Sequence, residues 1–215
     1  RSLIETATDI RSRSAEVMDI DEDDCRRNRL SARLYGHLAV PVDRGALQSP
    51  KRSGYAGDEP AVAAAAAAVA GELEPGVAYV VGPGRSAKAV LSALGLDGTL
   101  LGVDLVIDGA LAGRDLSGSA LHEACGGRPV RIVSGITGGQ GFLFGRGNQQ
   151  IAPGIIRRAG RDGLIVIAGR DKLASLALGR ILLDTGDRAL DAELSGFVRA
   201  RCSATEWVMM RVERA

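Results

Sequence analysis

Short apolar runs alternate with glycine turns and helical patterns beyond Gly76, and this arrangement is typical of a mixed α and β core. The runs predict strands at residues 77–81, 100–107, 130–134, 164–168 and 181–184, and a final hairpin at 196–212. Helical spacing predicts helices at residues 86–94, 117–124, 153–159 and 172–178. The sequence has no repeated period, so we expect a mixed α/β fold and not a solenoid.

The leading part of the chain, residues 1–43, carries a helical pattern and then two strand patterns. Ile4, Ala7 and Ile10 lie about one turn apart, which favours a helix over residues 1–13. The strand patterns cover residues 15–20 and 34–42. A charged cluster between them is typical of a solvated turn, and Pro41 ends the second strand or places it on a sheet edge.

Residues 44–60 separate this leading part from a main core at 61–215. They collect Gly, Ser, Pro, Lys and Arg with few apolar anchors, which predicts a flexible surface loop. Asp58, Glu59 and Pro60 then favour the start of an alanine-rich helix, because acidic residues and a first-turn proline suit a helix N-terminus. That apolar run is far shorter than the ~20 residues needed to span a bilayer, so we expect no membrane partner.

The charges nearly cancel, with 27 Lys and Arg against 26 Asp and Glu and a formal net charge of +1. No global field would therefore hold nucleic acid or an anionic membrane surface. Cys25, Cys125 and Cys202 are widely separated and form no CxxC pair, which argues against a disulfide framework or a zinc site. We expect a cytoplasmic protein whose cysteines act as small core hydrophobes.

The segment 138–150 combines five glycines with Phe-Leu-Phe, one arginine and a run of three carboxamides at 148–150. Glycines allow close approach to a ligand, a guanidinium suits phosphate, and carboxamides offer donors and acceptors, so a nucleotide site would need this mixture. The candidate binding residues here are Gly139, Gly141, Arg146, Asn148 and Gln149. The alternative stays open: a glycine-rich turn with a short strand, 142–144, packed into a core and with Arg146 in solvent.

A second candidate site follows the predicted strand 77–81, where Gly82-Pro83-Gly84 leads into a helix that carries Ser86. This geometry would aim backbone N–H groups and the positive end of a helix dipole at phosphate oxygens. Gly82, Gly84 and Ser86 are therefore candidate nucleotide-binding residues. The alternative is a plain strand-to-helix connection that Ser86 caps.

Several carboxylates also stand in chemically informative places. Asp104 lies in an apolar strand, so its carboxylate must face solvent, a partner or a ligand. Solvent is the preferred interpretation. Because a nucleotide is the alternative, Asp104 remains a candidate binding residue. Asp108 and Gly109 predict a tight hairpin turn. The aspartates of residues 184–187 are assigned to a turn in preference to a metal site.

The remaining residues with reactive side chains give no catalytic assignment. His37 and His122 lie far apart in sequence, and no serine occurs in a Gly-x-Ser-x-Gly setting, so the case for a hydrolase is weak. We therefore assign no catalytic residue and no metal ligand. Residues 170–172 carry charges that we expect to pair locally. Trp207, Met209 and Met210 lie in an apolar terminal strand and are predicted to be core residues.

Taken together, four segments resemble the ATP-NAD kinase family, in the bacterial and archaeal branch that includes AcoX-type proteins. They are the Gly82-Pro83-Gly84 turn and residues 101–104, 138–150 and 172–176. The resemblance covers about residues 15–212 and is strongest at 139–150. It implies an α+β fold, namely the NAD kinase-like C-terminal domain, with β-rich mixed sheets and several short helices.

The resemblance also implies an activity. The family transfers the γ-phosphate of ATP, or in some members of polyphosphate, to the 2′-hydroxyl of the adenosine ribose of NAD, with Mg²⁺ holding the phosphates. NAD and ATP are then the implied partners, and a homo-oligomer the implied assembly, with the terminal hairpin as a candidate contact. Relatives tend to carry threonines or serines after Gly-Pro-Gly, whereas Arg85-Ser86-Ala87 retains one hydroxyl here.

The Gly-Gly-Asp-Gly-Thr motif of the family's N-terminal ATP-binding domain does not occur in this sequence. In the most similar string, residues 138–142, Gln140 occupies the position of the aspartate. The resemblance therefore assigns residues 1–215 to a single C-terminal domain without the ATP-binding domain, and we expect this chain alone to be inactive. Two other functions remain open at this point. They are a non-catalytic nucleotide-binding or regulatory AcoX-like protein, and a plain structural domain whose glycines serve turns.

Overall fold

The computed structural model describes residues 12–20, 32–41, 57–137, 141–176 and 178–215. Contacts divide the chain into two compact units, Arg1–Pro50 and Lys51–Ala215. The described part of the first unit is an antiparallel pair of strands, β1 (Ser12–Ile20) and β2 (Ala32–Pro41), with an irregular register at Val17.

Both strands predicted in this unit are confirmed, and Pro41 is the last residue of β2. The predicted helix at 1–13 is wrong at its C-terminal end, because Ser12 already belongs to β1. Residues 1–11, the charged cluster and residues 44–56 of the predicted loop lie outside the described residues.

The second unit contains one nine-stranded mixed sheet. Its strands are β3 (Ala78–Val81), β4 (Asp104–Ile107), β5 (Ala110–Gly113), β6 (Val130–Ser134), β7 (Phe142–Phe144), β8 (Leu164–Ile167), β9 (Ile181–Leu183), β10 (Gly196–Arg201) and β11 (Trp207–Arg214). Their order is β5-β4-β3-β6-β8-β10-β11-β9-β7. β3, β6, β8 and β10 are mutually parallel, whereas β4 and β5 form the predicted hairpin at Asp108 and Gly109.

Six helices lie in the described part of this unit. They are α1 (Glu59–Gly71), α2 (Arg85–Ala93), α3 (Gly118–Cys125), α4 (Pro153–Ala159), α5 (Arg170–Ala174) and α6 (Arg188–Leu194). Five were predicted, although α5 begins and ends earlier than expected. The pattern missed α6, which begins because the Asp187 carboxylate accepts hydrogen bonds from the N–H groups of Ala189 and Leu190.

The sheet is buried on two faces, because alternate side chains of a strand point to opposite sides. In β3, Ala78 and Val80 join a core cluster that includes Leu121 of α3 and Ile156 of α4. Tyr79 and Val81 join a second cluster that contains residues of α1 and α2. A large mixed sheet with helices on both faces confirms the α+β, mixed α/β fold class.

The terminal hairpin of β10 and β11 corrects one prediction. Met210 is buried as expected, but Trp207 and Met209 are exposed, together with Phe197 of β10. The reason is the alternation along the strand: Met210 points into the core, and its neighbour Met209 therefore points to the opposite face. Cys125 and Cys202 are free and buried, as predicted for core cysteines.

Candidate phosphate-binding site

The candidate site lies at the carboxyl ends of β3, β6 and β8, where the chain leaves each of these parallel strands. This edge is the usual position for ligands in open α/β sheets. The Gly82–Gly84 turn follows β3, residues 135–137 follow β6, and Ala168 and Gly169 follow β8. The topology therefore brings three connections to one edge of the sheet.

The glycine turn is held by main-chain bonds. The Gly82 N–H donates to the Val133 carbonyl at 2.8 Å, and the Gly84 N–H donates to the Leu100 carbonyl at 2.8 Å. Gly84 has a φ of 93°, a conformation that favours glycine. Because both amides already have protein acceptors, these glycines shape the turn, and the donors that face outward belong to the helix that follows.

Helix α2 begins at Arg85, with Gly84 as its N-cap and no side-chain capping bond. The alternative in which Ser86 caps the helix is therefore wrong, since Ser86 lies within the first turn. The first intrahelical bond runs from the Lys88 N–H to the Gly84 carbonyl at 3.0 Å. Within the described ranges, the N–H groups of Arg85, Ser86 and Ala87 have no acceptor, so they and the helix dipole can serve an anion.

The connection after β6 packs against this helix start. A Cβ on Gly135 would lie 3.4 Å from the Ser86 Cβ and 3.9 Å from the Ala87 nitrogen. Next along the chain, the Ile136 carbonyl accepts a hydrogen bond from the Lys172 ammonium, and the Thr137 hydroxyl donates to the Arg146 carbonyl at 3.0 Å. Residues of three connections are thus joined around the first turn of α2.

Lys172 is the chemically unusual member of this group. Burial lowers the pKa of its ammonium, and repulsion by the nearby Arg85 guanidinium lowers it further. Arg85 itself forms an exposed ion pair with Glu59 at 3.2 Å. Two cations therefore lie close together at the positive end of a helix, an arrangement that a bound anion would stabilise.

The backbone around Lys172 is fixed from a distant part of the chain. The Asp58 carboxylate, just before α1, accepts hydrogen bonds from the N–H groups of Asp171 and Lys172 at 3.3 and 3.2 Å. The expected local pairing is wrong for Arg170, which pairs at 3.7 Å with Glu206 in the connection of the terminal hairpin. Sequence reasoning did not include Arg85 or Lys172 among the site residues, although both follow a parallel strand in a strand-to-helix connection.

The segment after residue 140 has a different environment from the one expected of a ligand loop. Phe142, Leu143 and Phe144 form the buried strand β7. The Arg146 guanidinium lies 3.3 Å from the Asp184 carboxylate and over the Phe142 ring at 5.2 Å from its centroid. Its side chain is half exposed, and the buried strand is common to both interpretations of this segment.

The carboxamide of Asn148 is also committed to the protein. Its Oδ1 accepts from the Gly145 N–H at 3.0 Å, and its Nδ2 donates to the Leu143 carbonyl at 2.7 Å. Gly145 itself leaves no room for a side chain, because a Cβ there would overlap the Asp184 carbonyl. Gly141 adopts a φ of 77° and Gln149 is exposed, whereas Gly139 lies outside the described residues.

Asp104 is fully buried, so the interpretation that it faces solvent is wrong. Its carboxylate lies 2.7 Å from the Lys88 ammonium and accepts further bonds from Thr99 and from the Asp115 N–H. Burial alone would raise the pKa of Asp104, but the bonds from Lys88, Asp115 and Thr99 prevail and lower it. Asp104 is therefore an ionised anchor within the protein.

The acidic turn 184–187 performs the turn chemistry that its sequence predicts. The Asp187 carboxylate caps α6, and the Thr185 hydroxyl donates to the Asp191 carboxylate at 2.7 Å. The described residues contain no group of three or more His, Cys, Asp or Glu side chains that could hold a metal ion. In the same residues, no helix has the length and apolar character that crossing a membrane requires.

The fold and the site together define an α/β protein in which a helix N-terminus and two cations lie at one edge of a mixed sheet. A family model described as the ATP-NAD kinase C-terminal domain matches residues 74–212. The chain belongs to the ATP-NAD kinase family, and its function is NAD kinase-like at the level of that family. No curated protein and no solved structure matches this chain.

Proposed function

We propose that this chain supplies the NAD-binding part of an ATP-dependent NAD kinase. The reaction moves the γ-phosphoryl group of ATP to the 2′-hydroxyl of the adenosine ribose of NAD, which loses its proton, and yields NADP and ADP. The family match over residues 74–212 supports this reaction class. As the C-terminal domain, the chain would act with an ATP-binding domain that carries the catalytic carboxylate.

The observation that carries the proposal is the pair of cations at the start of α2. We assign the pyrophosphate of NAD to the first turn of α2, where the Arg85 charge acts on the Lys172 ammonium. The N–H groups of Arg85, Ser86 and Ala87 would donate to its oxygens, as helix N-termini do in other phosphate sites. Gly82 and Gly84 would shape the turn beneath the ligand, and the Ser86 hydroxyl would add one donor.

The residues after β7 take a supporting role in this proposal. The Arg146 carbonyl holds Thr137, and Thr137 follows Ile136, the residue that accepts the Lys172 hydrogen bond. We therefore place Gly141, Arg146, Asn148 and Gln149 behind the site. The family implies a divalent metal with ATP, but the described residues do not form a set of ligands for one, and we derive no step through it.

The test is calorimetric titration of the protein with NAD, combined with an assay for NADP in the presence of ATP, Mg²⁺ and an ATP-binding domain of the family. Arg85→Met should weaken NAD binding by about tenfold, the loss of one charge-assisted contact. Arg114→Met is the matched control, because Arg114 forms a similarly exposed ion pair with Asp97 at 3.1 Å. Absence of NAD binding by the unaltered protein would overturn the proposal.

The second candidate is a nucleotide-binding or regulatory protein of the AcoX type without turnover. Arg85 favours this candidate, because it places an exposed cation where relatives tend to carry a hydroxyl, which suits binding more than transfer. In this case NAD should raise the melting temperature, since a ligand of the folded state stabilises it. No NADP should form, even when an ATP-binding domain of the family is supplied.

We also propose a cytoplasmic homo-oligomer. The buried free thiols of Cys125 and Cys202 fit a reducing compartment. The exposed Phe197, Trp207 and Met209 side chains form a patch on one face of the terminal hairpin, where the Arg199 and Arg201 guanidinium groups lie over the Trp207 ring. We take this mixed apolar and cationic patch as the contact between copies.

A further inference from the structure

A buried ion pair lies directly behind the glycine turn. Lys88 of α2 and Asp104 at the start of β4 are 8% and 0% exposed, and their charged atoms are 2.7 Å apart. Besides Lys88, the carboxylate binds the Thr99 N–H at 2.8 Å, the Thr99 hydroxyl at 2.9 Å and the Asp115 N–H at 2.9 Å. The pair thus joins a helix, a strand and two loops through one carboxylate.

This network reaches both ends of the turn. At the first end, the Lys88 ammonium donates to the carbonyl of Val81, the residue before Gly82, at 3.1 Å. At the second end, Thr99 precedes Leu100, whose carbonyl accepts the Gly84 N–H. Movement of the Asp104 carboxylate would therefore disturb the contacts at both ends of the turn.

The direction of Lys88 matters as well. A lysine close behind a glycine turn often binds phosphate directly, as in the P-loop. Here the ammonium points inward, and burial lowers its pKa although Asp104 opposes the change. Lys88 is consequently not available to a ligand, and only the helix amides, Ser86, Arg85 and Lys172 remain for contact.

We propose that Lys88 and Asp104 are positioning residues for the phosphate site, which set its affinity for a diphosphate without touching it. The inference rests on the proposed function. Its physical basis is preorganisation: the N–H groups of Arg85, Ser86 and Ala87 must converge on one anion, and the ion pair fixes the turn from which they start.

Gly98→Ala tests the inference without removing any charge. A Cβ on Gly98 would collide with the Asp104 Oδ2 and with the Leu91 side chain, so it would displace the carboxylate. Gly127→Ala is the matched control, since a Cβ there meets nothing within 4 Å. Thr99→Val removes the hydrogen bond from the Thr99 hydroxyl to the Asp104 carboxylate. Thr99→Ser keeps a hydroxyl at this position and should therefore keep the bond.

The probes are NAD and inorganic pyrophosphate, titrated at a temperature at which circular dichroism shows every variant folded. Gly98→Ala and Thr99→Val should weaken the binding of both probes by on the order of tenfold. The affinities of Thr99→Ser and Gly127→Ala should be close to that of the unaltered protein. Equal affinity in all folded variants would overturn the positioning role. If the unaltered protein binds neither probe, the proposed function fails, and the two failures are thereby distinguished.

Discussion

Removing Lys88 and removing Asp104 should lower the free energy of unfolding by different amounts, although the two residues form one ion pair. Breaking a buried ion pair costs about 3–5 kcal/mol of unfolding free energy, because the remaining charge is left uncompensated. Lys88→Met leaves the Asp104 carboxylate with three donors, so we expect the lower end, about 3 kcal/mol.

Asp104→Leu should lower the free energy of unfolding more than Lys88→Met does. It leaves the Lys88 ammonium with the Val81 carbonyl and deprives the N–H groups of Thr99 and Asp115 of their acceptor. Both N–H bonds are partly buried, so each unsatisfied donor adds about 1 kcal/mol, the lower end of the range, and the total reaches about 5 kcal/mol or more. That is a large part of the about 5–15 kcal/mol that stabilises a typical domain.

The assay is urea unfolding followed by circular dichroism, with Arg114→Met as the control, because its exposed pair with Asp97 should contribute about 0–1 kcal/mol. The double variant Lys88→Met, Asp104→Leu should be more stable than the sum of the single losses predicts, because it leaves no unpaired charge. Equal costs of the two single variants, or strict additivity, would refute the reasoning.

The same pair predicts how stability depends on pH. The pKa of Asp104 is lowered in the folded protein, so its contribution is present above the unfolded pKa of about 3.9 and is lost as pH falls through the folded pKa. The Lys88 hydrogen bond is one cause of that lowering. Lys88→Met should raise the folded pKa of Asp104 towards its unfolded value, so this variant should lose less unfolding free energy on acidification than the unaltered protein does, and an equal loss would contradict the assignment.

Three further predictions concern other parts of the molecule. Arg146→Ala should leave the Kd for NAD within about twofold in calorimetry, because the guanidinium pairs with Asp184; a tenfold loss would return Arg146 to the site. Asp58→Ala should lower the free energy of unfolding in urea by about 1 kcal/mol and weaken NAD binding, because the Lys172 N–H loses its acceptor. An unchanged Kd for NAD would show that Asp58 does not support the site. Trp207→Glu should lower the mass measured by light scattering, and an oligomer that tolerates this change would exclude the hairpin patch as its contact.

Local chemistry made much of the fold predictable. The Asp108-Gly109 turn specifies a hairpin because both residues accept a positive φ, at 51° and 73°. The strand, glycine turn and α2 could likewise be predicted, because the apolar run, the turn and the helical spacing are adjacent in sequence. The phenylalanines of β7 are buried, as their residue type indicates.

The contents of the site depend on contacts that no local pattern encodes. Lys172 meets the Ile136 carbonyl and the Arg85 charge only after three strands have aligned their carboxyl ends. Asp104 is ionised in the core because its four bonds come from a helix and two loops, whereas its sequence context shows only a carboxylate among apolar residues. Arg146 has the residue type of a phosphate ligand, but its partner Asp184 comes from a distant turn.

The central claim is that the first turn of α2 binds the pyrophosphate of NAD, and amide chemical shifts in a titration of the isotope-labelled protein with NAD test it most directly. We expect the N–H signals of Arg85, Ser86 and Ala87 to shift most. Those of Gly82 and Gly84, which are bonded to Val133 and Leu100, should shift less. Large shifts confined to residues 141–149, with α2 unchanged, would contradict it.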